Sequence, residues 1–84
     1  MQRNPVDSSN VSAVGYDPVK CILEVEFGKD CPSGYATNRI YQYLNVPKET
    51  YLDFVNFGSY GRFVHEHLGG KFEFIYLGTV EEIE

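Results

Sequence analysis

With 84 residues the chain is too short for two domains, since a domain of this size hides only roughly 60% of its unfolded surface and has little stability to divide. A net charge of −5, with seven Lys and Arg against twelve Asp and Glu, excludes a broad electrostatic grip on nucleic acid, which needs clustered cations. No run approaches the ~20 apolar residues of a bilayer span, and the polar start MQRNPVDSSN lacks the apolar stretch of a secretion signal, so a cytoplasmic protein with no membrane partner is expected.

Residues 1–9 read as a flexible lead-in that is ordered only if something ties it down. A single domain is expected over residues 10–78, followed by an acidic tail over 79–84. Val11 to Tyr16 alternates as a short strand ending at the turn signal Asp17-Pro18. Lys20 to Phe27 is the clearest strand: Cys21, Leu23, Val25 and Phe27 point one way and Glu24 and Glu26 the other. That arrangement gives the two glutamates a solvated outer face. The stretch GKDCPSGYATN over 28–38 is a loop, long for a hairpin connection. Cys21 and Cys31 match neither a redox pair nor a zinc site, so idle thiols are expected before a bridge.

Arg39 to Leu44 forms the third strand, with Tyr41 and Tyr43 on one face and Ile40, Gln42 and Leu44 on the other. Periodicity leaves open which of these faces the core. Pro47 suits the first turn of a helix, with Asn45 or Val46 as its cap. Tyr51, Phe54 and Val55 then form a packing stripe, and Gly58 closes the helix. Ser59 is a natural cap for a second helix, Tyr60 to Leu68, buried through Phe63, Val64 and Leu68. Gly69-Gly70 stops it, and Phe72, Phe74 and Tyr76 alternate through a final strand or arm. The fold class is therefore α+β: a three-stranded antiparallel meander, two short helices packed on one face, and a C-terminal strand or arm.

Three clusters stand out chemically. Tyr41 and Tyr43, two apart on a strand, could stack bases if they lie on an open face, or fill the sheet–helix core. Ser59, Gly61 and Arg62 open the second helix, where N–H groups, a hydroxyl and a guanidinium could hold a phosphate, or Ser59 could serve as a plain cap. Lys29, Cys31 and Tyr35 lie in the long loop and are candidates for touching a partner. His65 and His67, two apart on a helix, diverge and make no metal pair. No nucleophile sits beside a base, so no catalytic, metal or cofactor site is expected.

The order of motifs resembles the KTSC domain, a small module named after the C-terminal region of some lysyl-tRNA synthetases and also found alone in bacteria and phages. The matching stretches are Val6-Asp7-Ser8-Ser9, Val14-Gly15-Tyr16-Asp17 and Leu23-Glu24-Val25-Glu26-Phe27. Tyr41-Gln42-Tyr43, Val46-Pro47, Tyr51 and Ser59-x-Gly61-x-Phe63-Val64 follow, so the resemblance spans residues 6 to 72. Two features depart from the pattern: the inserted loop KDCPSGYATN and the continuation FEFIYLGTVEEIE. The resemblance implies the α+β fold and a nucleic-acid-related binding role. The resulting expectation is a non-enzymatic module for a nucleotide or short RNA, held by Tyr41, Tyr43 and the Ser59–Arg62 helix start. The competing expectation is an acidic protein-interaction module, such as a phage-type inhibitor of a host protein. A third is an oligomeric sponge for a nucleotide signal, with Phe72 to Leu77 pairing between chains.

Overall fold

In the computed structural model, residues 3–6, 11–28 and 39–79 are described. Among the described residues five strands form one antiparallel sheet in chain order: β1 (Asn4–Pro5), β2 (Val11–Asp17), β3 (Ile22–Phe27), β4 (Arg39–Tyr43) and β5 (Phe74–Thr79). Helix α1 (Lys48–Asn56) and helix α2 (Tyr60–Phe63) lie between β4 and β5 in the chain. The α+β class holds, but the sheet has five strands and not three. The C-terminal segment joins β4 as a full strand, Tyr41 opposite Tyr76 and Tyr43 opposite Phe74. At the other edge Asn4 and Pro5 pair with Val14 and Ala13. A two-residue strand containing proline gives no alternation to read, and an edge position tolerates its missing N–H.

Register defines the two faces. Val14, Val25, Tyr41 and Tyr76 form one row across the sheet, and Tyr16, Leu23, Tyr43 and Phe74 form the next. These rows belong to the inner face, because Val14, Leu23, Val25 and Tyr43 share a buried cluster with Phe54, Phe63 and Leu68 of the helical layer. A bulge between Val11 and Ala13 changes the alternation expected for β2. It returns Val11 to the face of Val14 and turns Ala13 to the other, so strict alternation from Val11 fails there.

Pro47 precedes α1 in extended conformation and no side chain caps the helix. Asn45 instead takes a positive φ of 56° in the bend after β4, a conformation that asparagine tolerates. Phe54 is fully buried, and Tyr51 stacks flat on Tyr16 at 4.5 Å with an interplanar angle of 6°. The Tyr16 hydroxyl donates to the Val46 carbonyl at 2.6 Å, which satisfies the phenol at the core edge. The second helix departs from the expected uniform α-helix. After Phe63 it widens into a π-helical turn, Val64–Leu68, closed by the Gly69 N–H donating to the Val64 carbonyl at 2.7 Å. The wider turn still buries Leu68 along with Phe63, as the sequence stripe requires.

Candidate functional site

The inner face is buried with the helical layer across β2 to β4 and exposed along β5, and the exposed part is aromatic. Tyr41 lies at its centre, with ring centroids 5.0 Å from Tyr76, 5.6 Å from Phe74 and 5.6 Å from Phe27. Phe74 is 57% and Tyr76 49% exposed, values unusual for large aromatic side chains in a small domain. Arg39 is exposed and shares this face, two residues before Tyr41 on β4 and opposite Phe27. A depression of about 450 Å³ adjoins Phe74 and is lined by Lys71 and Glu73. The inner face thus presents an open row of rings with Arg39 on the same face.

Tyr43 separates from Tyr41 in environment. It is only 6% exposed and belongs to the core, where burial and then the neighbouring Tyr41 push its phenol above the ordinary value. Tyr41 is half-buried, touching the core on one side and the exposed rings on the other. Periodicity could not separate the two, because both have the same strand parity. The distinction comes from distant elements: Tyr43 joins Phe54, Phe63 and Leu68 in the buried cluster, and Tyr41 packs at its margin.

At the start of α2, the Ser59 hydroxyl accepts from the Arg62 N–H at 3.4 Å, as an N-cap does. The Arg62 side chain turns to Glu66, one helical turn on, with Nε 2.6 Å from the carboxylate. That hydrogen bond holds the Glu66 carboxyl below its usual range. Arg62 also lies 5.7 Å from the Phe57 ring centroid. Gly61 is half-exposed within the same turn. The ring partners of Tyr41 and the contacts of Arg62 have no residue in common. Lys29, Cys31 and Tyr35 lie outside the described residues.

His65 is exposed, while His67 packs on Phe63 at 4.8 Å and Phe57 at 5.3 Å. These rings help to line a cleft of about 540 Å³ between the helices, with Asp53, Lys71 and Phe72 at its margin. Among the described residues, no three His, Cys, Asp or Glu side chains gather as a metal site.

The outer face holds a network that residue pattern alone did not reveal. Glu24, expected on a solvated face, is only 2% exposed. Arg3 donates to Glu24 at 2.6 Å and to Glu26 at 3.0 Å, and Gln42 donates to Glu24 at 2.8 Å. The two carboxylates are thus bound to a guanidinium from the segment expected as a lead-in. A strand-face pair of glutamates looks solvated in sequence because the arginine that covers it lies some twenty residues away.

Fold and geometry define a small α+β domain: one antiparallel sheet whose inner face is buried at its centre and exposed along β5. The chain belongs to the KTSC domain family, whose model matches residues 7–72. It is 38% identical over 73 residues to a protein of Tsukamurella paurometabola, covering 87% of this chain and 97% of the relative. It is 36% identical over 62 residues to an uncharacterised protein of Stutzerimonas stutzeri, covering 74% and 76% of the two chains. The crystal structure of a KTSC domain protein from Yersinia pestis superposes with a TM-score of 0.76 at 36% identity, covering 92% of this chain and 97% of the other. The family match ends at residue 72, two residues before β5 begins.

Proposed function

We propose that this domain is a non-enzymatic binding module for a nucleobase-bearing ligand, a nucleotide or a short single-stranded RNA. The supporting observation is the open aromatic row of Tyr41, Phe74 and Tyr76 on the inner sheet face, with Arg39 on the same face. Each base has a π-face, so aromatic side chains on an exposed sheet can bind it without base-specific hydrogen bonds. Arg39 would meet a phosphate at one end of the row. An acidic chain of net charge −5 suits a short ligand gripped by stacking better than a long one gripped by counterion release. Relative to the sequence expectation, the site keeps Tyr41, replaces Tyr43 by Phe74 and Tyr76, and replaces Arg62 by Arg39.

The test is fluorescence anisotropy with labelled eight-nucleotide oligo-U and oligo-A, alongside calorimetry with mononucleotides. Stacking contributes about 1–3 kcal/mol per base, so Tyr76→Ala should weaken binding by roughly 5- to 150-fold. Phe57→Ala, in the cleft between the helices, should leave affinity unchanged. If no oligonucleotide or nucleotide binds at millimolar concentration, or if Tyr76→Ala binds as tightly as the parent, the proposal is wrong. The protein-interaction role would then take precedence, with native mass spectrometry of protein drawn from a bacterial lysate reporting any retained polypeptide.

A further inference from the structure

We infer that β5 is a homodimerisation strand that pairs antiparallel with β5 of a second copy about a two-fold axis at Ile75. Strand β5 ends the sheet order, and among the described residues no strand lies on its outer side. The Leu44 N–H donates to the Glu73 carbonyl at 2.8 Å, which aims the Glu73 backbone inward. Backbone groups alternate along a strand, so Phe74 and Tyr76 turn their N–H and C=O groups outward, toward the open edge.

The side chains tell the same story from both faces. Phe74 and Tyr76 are exposed on the inner face, while Ile75 is 47% exposed on the outer face. Leu77, 37% exposed, is the extra residue of a bulge against β4. A ligand stacked on one face leaves Ile75 in water, whereas a strand laid alongside covers apolar groups of both faces at once. Edge strands commonly carry lysine, proline or an inward charge that deters pairing. Phe74 to Thr79 contains none of these.

Self-complementarity selects a second copy as the occupant. With the axis at Ile75, Phe74 of each chain lies opposite Tyr76 of the other, and these are the residues whose backbone groups face outward. Four inter-chain hydrogen bonds form without involving the bulge. The inner face gains two Phe–Tyr cross-strand pairs, and the outer face gains an Ile75–Ile75 contact at the close, non-hydrogen-bonded spacing. Glu73 falls opposite Leu77, so no like charges meet. Closed two-fold pairing of this kind is the commonest route to a homo-oligomer. Pairing of β5 and stacking on the aromatic row both use Phe74 and Tyr76, whereas Ile75, on the outer face, serves pairing alone.

Sedimentation equilibrium of the full chain, across micromolar to millimolar concentration, should show a mass rising from 9.6 kDa toward twice that value. Ile75→Lys places two ammonium groups together at the axis and should raise the dissociation midpoint at least about tenfold while leaving the circular dichroism spectrum unchanged. Ile75→Cys should form an inter-chain disulfide under mild oxidation, mapped to position 75 by peptide mass spectrometry, because close cross-strand spacing falls within disulfide reach. Leu77→Cys should not cross-link to itself. A chain that stays monomeric throughout overturns the inference and leaves the edge to a different strand partner. A dimer that Ile75→Lys does not weaken overturns it as well. Should Ile75→Lys fail to fold, the cross-link decides, and its absence at position 75 overturns the inference.

Discussion

Single residues hold this fold through contacts that span the chain. Arg3 is the clearest, because it meets Glu24 and Glu26 from 21 and 23 residues earlier in the chain. Its side chain is 14% exposed and that of Glu24 3%, so removing the guanidinium leaves a buried carboxylate with the neutral Gln42 amide and no paired cation from Arg3. Breaking one side of a buried pair costs about 3–5 kcal/mol, a large part of the stability of a small domain. Arg3→Ala should therefore lower the urea midpoint sharply, and Arg3→Ala with Glu24→Gln should recover part of the loss. Equal midpoints for Arg3→Ala and the parent would show that the network carries no net stability.

Tyr43 adds a dependence on pH. Burial, and then Tyr41, raise its phenol above the ordinary 10.0. As the pH rises, the unfolded chain gives up this proton before the folded chain does. The stabilisation is complete below the unfolded value and is lost as the pH climbs through the folded one. Urea midpoints should fall above pH ~10 in the parent and fall less steeply in Tyr43→Phe, which has no proton to lose. Tyr16, also raised by burial, leaves a residual slope in the variant.

Among the elements, the helical layer depends on how its two segments are joined. Gly58 follows α1 with a φ of +102°, a conformation closed to most side chains, and nothing lies within 4 Å of where a Cβ would stand. The cost of Gly58→Ala is thus conformational and not steric. It should be about 1–2 kcal/mol, or roughly 4–16 °C in Tm for a domain of this size, read by thermal circular dichroism. Space alone would have predicted no effect. The π-helical turn that follows has a different origin. Its closing bond to Gly69 sets a ring wider by one residue than an α-helix, which keeps both Phe63 and Leu68 on the core side. No sequence period announces this, since an insertion of one residue per turn looks like ordinary helical spacing over so short a segment.

For the whole molecule, uneven coverage of the sheet is the feature on which the proposed function rests. The inner face is buried across β2 to β4, at Val14, Leu23, Val25 and Tyr43, and open along β5, at Phe74 and Tyr76. An acidic protein that binds through a stacked row with one guanidinium should show a shallow salt dependence. The slope of log K against log salt should lie near −1 and approach zero in Arg39→Ala. A steep slope in the parent would instead point to a phosphate-tracking groove elsewhere. The same open edge supplies the pairing inferred for β5.

Much of the fold was legible in residue order. The strands around Leu23 to Phe27 and Tyr41 to Tyr43, the stripe of Phe54, the cap at Ser59 and the burial of Phe63 and Leu68 follow from period-2 and helical spacing, turn chemistry and the need to hide large side chains. These are local rules, each decided within a few residues. Tertiary structure alone decided what depends on distant neighbours: that Glu24 is covered by Arg3, that Tyr43 is buried while Tyr41 borders an open platform, and that Phe74 to Thr79 forms the sheet's edge. Strand parity can place two tyrosines on one face, but burial depends on what lies above that face, and here this is decided by helices that follow the strand in the chain.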